Sequence, residues 1–243
     1  YLAAWFDRRE HVLRNWRAVM MPFLLTIGVI ILLILAQPDL GTAAIIVFTS
    51  FIMFYLAGGS VRQLSGLAVV AMGFLFLLIR LEPYRTRRLT VFLNPELDPQ
   101  GIGYHINQAL LAIGTGGFFG LGLGHSRQKF NYLPEPAGDS IFAITAEELG
   151  FVFATLFIAV WSLLIYRGIL IARAAPDRFG QLVAGGITTW FGLQAFINIG
   201  ALSGILPLTG IPLPFLSHGG TAVIANLAAA GIVLNISRQS HRG

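Results

Sequence analysis

The sequence has no cysteine and few charged residues. Without cysteine the chain has no disulfide, thiol nucleophile or cysteine-ligated metal. Charged residues make up 11% of its 243 residues, whereas a soluble domain carries about 25%. The hydrophobic share is 56% and the mean hydropathy is +0.75. These proportions exclude a soluble enzyme and predict an all-α, polytopic transmembrane helix bundle.

The net charge of +5 is carried mainly by arginine. The basic residues are spread between apolar segments, which argues against nucleic acid as a partner. Arginine at membrane boundaries instead favours contact with anionic lipids or phosphate groups.

Six apolar segments have about the length that crosses a bilayer as a helix. Asp39 is a predicted N-cap of the second segment, and Ser60 and Gln63 have the spacing of a capping box before the third. We therefore predict one integral membrane domain over residues 1–243. The chain begins at Tyr1 in what resembles the last turns of a helix, so we expect further spans upstream. The six segments are 18–36, 40–56, 64–81, 141–172, 181–206 and 221–236.

Two long polar segments separate the predicted spans, at 82–140 and 207–220. The first contains a short amphipathic stretch, 104–113, which is too short to span a bilayer. Six glycines follow between Gly114 and Gly124, without the preceding strand or the spacing of a dinucleotide motif. A loop this long with so many special residues predicts a functional region.

Lysine and arginine counts predict the orientation of the bundle, because cytoplasmic loops carry the excess. The side with more basic residues is predicted to be cytoplasmic, which puts 82–140 and 207–220 outside. The arginines near residue 85 run against this bias, so they either bind an anionic ligand or pair with Glu82, Glu96 and Asp98. One side carries Arg8, Arg9, Arg14, Arg17, Arg62, Arg167, Arg173, Arg178, Arg238 and Arg242; the other carries Arg80, Arg85, Arg87, Arg88, Arg127 and Lys129.

Asp139 lies where the first polar loop meets the fourth apolar segment. One interpretation is that Asp139 caps the following helix, since Asp is a preferred N-cap residue. The other is that it is a catalytic base at the membrane surface. Two further carboxylates, Glu147 and Glu148, fall within the apolar segment, where such groups are either functional or paired.

The sequence resembles the SEDS family (shape, elongation, division and sporulation), which includes FtsW, RodA and SpoVE. The loop motif that contains Asp139 is more similar to the FtsW and SpoVE branch than to RodA. Family members have about ten spans, so this chain resembles the C-terminal six. The matching motifs are Ala36–Thr42, Glu82–Arg88, Gly103–His105 with Gln108, Gly122–Gly124, Gln128–Lys129, Tyr132–Glu135, Asp139–Ala143, Glu147–Gly150, and Pro212–Phe215 with Ser217, Gly219 and Gly220.

The resemblance implies a peptidoglycan glycosyltransferase that polymerises lipid II at the outer face of the bacterial cytoplasmic membrane. The family's essential aspartate falls on Asp139, which we expect to be the general base of an inverting transfer. Asn131 stands where some members have a second acidic residue, and His218 where relatives have tyrosine. We expect His105 and His218 to make polar contacts only. The candidate substrate-binding residues are Arg85, Arg88 and Lys129 for the pyrophosphate, with Glu135, Gln128 and Ser217.

The expected cofactor is at most a divalent cation, Mg²⁺ or Mn²⁺, and no organic cofactor. The expected partners are lipid II, a class B penicillin-binding transpeptidase and other divisome or elongasome proteins. Two alternatives stay open. One is a lipid II transporter (flippase), for which Glu147 and Glu148 would matter most, and the other is a non-catalytic division scaffold.

Overall fold

The computed structural model describes residues 1–13, 19–37, 39–130 and 132–240. Arg14, Arg17, Asn131 and Arg242, which enter the predictions above, lie outside these ranges. Every regular element of the described ranges is helical, which confirms the predicted all-α class.

The α-helices of the described ranges are numbered here in chain order. Short 3-10 turns lie at Glu10–Val12 and Pro95–Leu97. The helices are α1 (Leu2–Asp7), α2 (Met21–Leu35), α3 (Leu40–Leu56), α4 (Val61–Leu81), α5 (Pro83–Leu93), α6 (Ile102–Thr115), α7 (Ile141–Arg173), α8 (Arg178–Leu202) and α9 (Gly220–Ser240).

Polar residues between the apolar segments set the helix starts. The Asp39 carboxylate accepts a hydrogen bond from the Thr42 amide at 2.9 Å and caps α3. At the start of α4 the Gln63 amide donates to the Ser60 hydroxyl, and the Ser60 amide donates to the Gln63 side chain, both at 3.2 Å. Both capping predictions are confirmed. Each cap satisfies amides that would otherwise lack partners, an effect worth about 1 kcal/mol.

Three helices, α7, α8 and α9, are long and apolar enough to cross a membrane. They correspond to the last three predicted spans. Shorter apolar helices at Met21–Leu35, Leu40–Leu56 and Val61–Leu77 correspond to the first three.

The prediction that the fifth span extends to residue 206 is wrong, because α8 ends at Leu202. Gly204 adopts a φ of +71°. The amides of Ile205 and Leu206 turn back to the Gly200 carbonyl at 2.8 and 3.0 Å. A glycine in the left-handed region ends a helix in this way at little steric cost.

The described chain forms two compact units. Unit 1 comprises Tyr1–Gly73, Leu164–Leu193 and Leu227–Gly243. Unit 2 comprises Phe74–Leu163 and Gln194–Asn226, and it contains Asp139.

Unit 1 has an aromatic core where α1, α2 and α3 meet. The rings of Phe6, Phe23 and Phe54 lie 5.6 to 5.9 Å apart and are almost completely buried. Ala172 of α7 and Ala184 of α8 are buried in a second cluster. Packed aromatic rings and small residues at helix contacts are what holds helices together where lipid replaces water.

Unit 2 has a row of aromatic rings along α7 that reaches the segment 203–219, called the second loop below. The ring centroids of Phe142 and Phe157 are 6.0 Å apart, those of Phe157 and Trp161 6.4 Å, and those of Trp161 and Phe215 6.1 Å. Because Phe215 stacks on the buried Trp161, the second loop is anchored to α7.

Helix α7 is broken at Gly150, where φ is +77° and ψ is −177°. The break frees the amides of Phe151 and Val152 from the helical pattern. They donate instead to the carbonyls of Gly117 at 2.8 Å and Phe118 at 3.2 Å. Amides freed by a break in a helix need such replacement partners, and the segment 116–122 supplies them.

The glycines of the segment 116–122 allow its backbone to lie directly against α7. The amides of Leu121 and Gly122 donate to α7 carbonyls at 3.0 and 2.9 Å. A side chain on Gly116 or Gly120 would collide with backbone carbonyls of α7. This close approach explains the glycine-rich stretch that the sequence analysis separates from nucleotide-binding motifs.

Candidate active site

The loop before α7 turns sharply and presents Asp139. Glu135 has a φ of +44°, which is uncommon for a residue other than glycine. Its carbonyl accepts hydrogen bonds from the amides of Gly138 at 3.0 Å and Ser140 at 3.4 Å. Residues held in such conformations by the surrounding structure are concentrated at functional sites.

The Asp139 side chain is half-buried, so it can be reached from solvent. Burial raises the pKa of the Asp139 carboxyl above its ordinary value, and the negative charge of Glu135 adds to this. His105 and a hydrogen bond from Ser140 act in the opposite direction but do not outweigh burial. A carboxylate with a raised pKa is a better proton acceptor than an ordinary aspartate, which is what a general base requires.

The structure does not support the interpretation of Asp139 as a helix cap. Helix α7 begins at Ile141, so Ser140 occupies the position before it. Among the described residues, the Asp139 carboxylate accepts from the Ser140 hydroxyl at 3.3 Å, and no amide of the first turn of α7 donates to it. The Asp139 carboxylate is therefore not used to cap α7.

His105 of α6 lies at the same site. Its Nε2 is 2.8 Å from the hydroxyl oxygen of Ser140. The single proton of that hydroxyl can be donated either to Asp139 or to the Pro134 carbonyl, 2.9 Å away. Burial lowers the pKa of the His105 imidazole, and Asp139 partly opposes this. The sequence predicts only a polar contact for His105, although His105 is part of a matching motif. Its proximity to Asp139 is what sequence reasoning missed.

Asn198 of α8 connects the Asp139 loop to the second loop. Its side-chain amide is buried and donates to the Asp139 carbonyl at 2.7 Å and to the Ile211 carbonyl at 2.8 Å. The amide of His218 donates to the Ala137 carbonyl at 2.7 Å. No sequence motif singles out Asn198, because its role depends on residues far away in the chain.

The second loop passes close to the Asp139 carboxylate at Gly210. A Cβ atom on Gly210 would lie 3.7 Å from Asp139 Oδ2, and Gly210 has a φ of +71°. Ser217, a predicted substrate ligand, is buried, and its hydroxyl accepts a hydrogen bond from the Leu213 amide at 2.7 Å. Ser217 thus stabilises the fold of the loop that covers Asp139.

The arginines of the predicted cluster lie on α5, and each makes different contacts. Arg87 forms an ion pair with Asp98 at 3.1 Å, as the pairing alternative predicts. Arg88 donates from Nη1 to the Leu208 carbonyl at 3.3 Å, so it contacts the second loop two residues before Gly210. Arg85 is buried.

The carboxylate of Glu147 is buried and holds the segment 126–129. It accepts hydrogen bonds from the Ser126 hydroxyl at 2.5 Å, the Arg127 amide at 3.1 Å and the Gln128 amide at 3.3 Å. Of the two possibilities for an intramembrane carboxylate, the structure gives Glu147 the paired one.

Glu148 holds the other side of the same segment. Its carboxylate accepts from Lys129 Nζ at 2.7 Å and from the Ser126 amide at 3.3 Å. The charge of Lys129, a predicted pyrophosphate ligand, is therefore already compensated in this structure. Its side chain remains 26% exposed, so an anion can reach it.

Several buried polar atoms of unit 2 have no hydrogen-bond partner among the residues that the structure describes. A buried donor or acceptor without a partner costs about 1–3 kcal/mol, so such atoms are typically kept for a ligand or water. They include Arg88 Nε, Gln108 Oε1, Gln128 Oε1, Asn198 Oδ1 and Thr209 Oγ1.

In the part of the chain that the structure describes, no group of three or more His, Cys, Asp or Glu side chains is placed to hold a metal ion. Asp139 and Glu135 interact electrostatically but do not form a complete metal site by themselves. Mg²⁺ is commonly held by one or two carboxylates together with substrate phosphates. The requirement for a divalent cation stays a prediction.

The helices α7, α8 and α9 can cross a membrane, and they define an integral membrane protein. Its candidate site is centred on a carboxylate and lies in the loops before α7 and α9. A family model described as "Cell cycle protein", which represents FtsW, RodA and SpoVE, matches residues 1–242. The chain belongs to this FtsW/RodA/SpoVE family, which confirms the resemblance to the SEDS proteins.

Two curated relatives illustrate the similarity. The chain is 44% identical to stage V sporulation protein E of Bacillus subtilis (strain 168) over 99% of this chain and 66% of that protein. It is 40% identical to the probable peptidoglycan glycosyltransferase FtsW of Geobacter sp. (strain M18) over 98% of this chain and 65% of that protein. The chain thus spans slightly less than two thirds of the length of these relatives.

Solved structures share the fold. A crystal structure of the rod shape determining protein RodA of Thermus thermophilus matches with a TM-score of 0.64 and 30% identity, over 98% of this chain and 62% of that chain. A chain from a peptidoglycan synthase complex, described for its coordination of polymerization and crosslinking, matches with a TM-score of 0.74 and 29% identity. That match covers 100% of this chain and 67% of the other.

Proposed function

We propose that this protein is a peptidoglycan glycosyltransferase that polymerises lipid II into glycan strands, with Asp139 as the general base. FtsW relatives carry the name of that activity. The observation that carries the proposal is the half-buried Asp139 carboxylate, which has a raised pKa and no helix-capping role. Gly210 of the second loop lies beside it, where an added Cβ would be 3.7 Å from Asp139 Oδ2.

The reaction needs one base and a good leaving group. The acceptor hydroxyl oxygen forms a bond to the anomeric carbon of the donor, while the bond from that carbon to the pyrophosphate oxygen breaks. The pyrophosphate leaves with the bonding electron pair, and the hydroxyl proton goes to Asp139. Attack opposite to the leaving group inverts the anomeric carbon through an oxocarbenium-like state. A positioned base of this kind contributes about 10²–10⁴ in rate.

Cationic side chains stabilise the leaving pyrophosphate. Arg88 is the best candidate, because its Nε has no hydrogen-bond partner within the described ranges and its guanidinium contacts the second loop, which passes close to Asp139. Arg85 and Lys129 are the other predicted ligands. Guanidinium groups can bind phosphate oxygens in a bidentate manner, which gives both charge and geometry.

Polar residues nearby would orient the sugars. Glu135 is exposed in the same turn as Asp139, and Gln128 has a buried side-chain oxygen without a partner. Both can accept hydrogen bonds from sugar hydroxyls or amides. Ser217 acts less directly in this scheme, by fixing the second loop through the Leu213 amide.

A transporter is less well supported by the same site. Its case depends on intramembrane carboxylates that are free to bind or move a cargo. The carboxylates of Glu147 and Glu148 are instead engaged by the segment 126–129. A scaffold without activity would not need a carboxylate with a raised pKa beside a loop whose glycine adopts a left-handed conformation.

We also propose that the site faces the outside of the bacterial cytoplasmic membrane, and that the protein works with a class B penicillin-binding transpeptidase. The basic-residue distribution supports the first proposal. The second is supported by a structural neighbour from a peptidoglycan synthase complex. A cysteine introduced at Phe119, which is 86% exposed, would be the single thiol of the chain. A membrane-impermeant maleimide should label it on intact spheroplasts, and labelling only after lysis would contradict the orientation.

The test of the activity is glycan formation by the purified protein in detergent micelles supplied with lipid II. Micelles have no two compartments, so a transporter or a scaffold makes no product under these conditions. We expect lipid II to be consumed and glycan strands to appear on a gel. Intact lipid II after incubation with well-folded protein would contradict the proposal.

A further inference from the structure

A continuous polar chain connects Asp139 to the imidazole of His105. The Ser140 hydroxyl lies between them, 3.3 Å from Asp139 Oδ1 and 2.8 Å from His105 Nε2. Ser140 is completely buried, so water does not compete for its hydroxyl, whereas Asp139 and His105 are both partly exposed. The Ser140 hydroxyl is thus shielded from water, while Asp139 and His105 are both accessible to solvent.

We propose that His105, acting through the Ser140 hydroxyl, takes over the proton that Asp139 removes from the acceptor sugar and so returns Asp139 to its basic form. This inference rests on the proposed function, because it assigns the next step to the same proton. His105 does not touch the reacting atoms, so it is a positioning and relay residue.

The proton balance of the relay is simple. Protonated Asp139 donates its proton from Oδ1 to the Ser140 oxygen. The Ser140 hydroxyl proton passes at the same time to His105 Nε2, a step that uses the neutral tautomer with its proton on Nδ1. Asp139 is then a carboxylate, Ser140 is unchanged and His105 is an imidazolium that can lose its proton to water. Between turnovers the Ser140 hydroxyl can instead donate to the Pro134 carbonyl, 2.9 Å away.

The electrostatics of the site affect the free energy of this transfer. Burial raises the pKa of Asp139 and lowers the pKa of His105, so the two groups are closer in proton affinity than in water. The transfer from Asp139 to His105 is therefore less strongly downhill than in water and is more readily reversed. The other charged group acting on Asp139 is Glu135. Arg88 of α5 donates a hydrogen bond to the second loop. That loop also contains a titratable residue, His218, whose backbone amide donates to the Asp139 loop.

A purely structural His105 would also make the hydrogen bond to Ser140, so the experiment must separate a relay from a spacer. Glutamine at position 105 can keep a hydrogen bond to Ser140 but cannot carry a proton. Alanine removes both functions. His125 is the matched control, because it is an exposed histidine whose ring nitrogen Nδ1 lies 3.1 Å from the Leu123 carbonyl oxygen.

The assay is steady-state polymerisation of lipid II by the purified protein, with kcat and KM measured from about pH 5 to pH 9, a window that spans the ordinary range of His. We expect His105→Gln to lower kcat by about tenfold or more, within the range of acid–base effects, and to leave KM unchanged. In the wild type the acid side of the kcat profile should reflect two ionisations, those of Asp139 and His105. His105→Gln should retain one, and His125→Gln should match the wild type.

Chemical rescue gives the second readout. Added imidazole should raise the kcat of His105→Ala in a concentration-dependent manner, because it can accept the proton at the vacated position. The relay is overturned if His105→Gln has the kcat and pH profile of the wild type. It is also overturned if glutamine restores the activity that alanine loses and imidazole does not. A fully active Asp139→Asn protein would instead remove the proposed function itself, so the two failures can be told apart.

Discussion

Replacing Glu147 by glutamine should loosen the segment 126–129 without disturbing the rest of the protein. The buried carboxylate accepts three hydrogen bonds, with Oε2 serving the Ser126 hydroxyl and the Gln128 amide and Oε1 serving the Arg127 amide. A glutamine side chain has one acceptor oxygen and one NH₂ group. In either orientation, at least one backbone amide then faces a donor in place of an acceptor.

The size of the effect follows from the bond that is lost. A hydrogen bond to a charged group contributes about 1.5–3 kcal/mol, so Glu147→Gln should destabilise the docked segment by about 2 kcal/mol. That corresponds to a roughly 30-fold larger opening constant, since 1.4 kcal/mol is about tenfold. The effect should be local, because a segment can detach without global unfolding.

The assay is amide hydrogen exchange followed by mass spectrometry on peptides covering 125–130. Glu148→Gln is the matched control. It weakens a partly exposed ion pair with Lys129, which is worth about 1 kcal/mol or less. We expect exchange at Arg127 and Gln128 to rise about 30-fold in Glu147→Gln and far less in the control. Unchanged exchange in Glu147→Gln, or equal changes in both variants, would refute the reasoning.

Three further predictions concern the surroundings of Asp139. Arg88→Lys removes the guanidinium fork that contacts the Leu208 carbonyl, so the KM for lipid II should rise about tenfold; an unchanged KM would exclude pyrophosphate binding there. Gly210→Ala should cost about 1–2 kcal/mol of stability in the left-handed region and lower kcat by placing an apolar methyl group in contact with Asp139 Oδ2; wild-type kcat would contradict this. Because the folded pKa of Asp139 is raised, its ionisation destabilises the fold as pH rises above the ordinary value. Asp139→Asn should therefore melt at a higher temperature than the wild type at pH 7 but not at pH 3, and a lower melting temperature at pH 7 would count against it.

Local features of this protein could be predicted from its sequence. The caps at Asp39 and Ser60 depend on residues three positions apart, and both are confirmed. The predicted second span, 40–56, has the bounds of α3. These predictions succeed for one reason. The caps depend on residues a few positions apart, and the span depends on an uninterrupted run of apolar residues.

Features that depend on distant residues could not be predicted. Ser140 meets His105 across 35 positions, and Asn198 reaches the Asp139 carbonyl across 59. The break of α7 at Gly150 makes sense only with the segment 116–122 beside it, because that segment supplies the missing hydrogen-bond partners. A glycine within an apolar stretch gives no indication of this by itself.

For the same reason, the sequence alone does not decide whether the carboxylates of Glu147 and Glu148 are paired. Glu147 and Glu148 look alike in the sequence as candidates for a transport pathway. Their carboxylates hold a segment about twenty residues earlier in the chain. Only the folded backbone identifies the donors, because two of the three bonds to Glu147 come from main-chain amides.

The most direct test of the central claim is the rate of glycan formation from lipid II by Asp139→Asn protein. Asparagine has nearly the same shape and keeps an acceptor for the Ser140 hydroxyl, but it cannot take up the proton of the acceptor sugar. We predict a loss of polymerisation by a factor of about 10² or more, with folding and lipid II binding retained. Polymer formed by Asp139→Asn at the wild-type rate would contradict the assignment of Asp139 as the base.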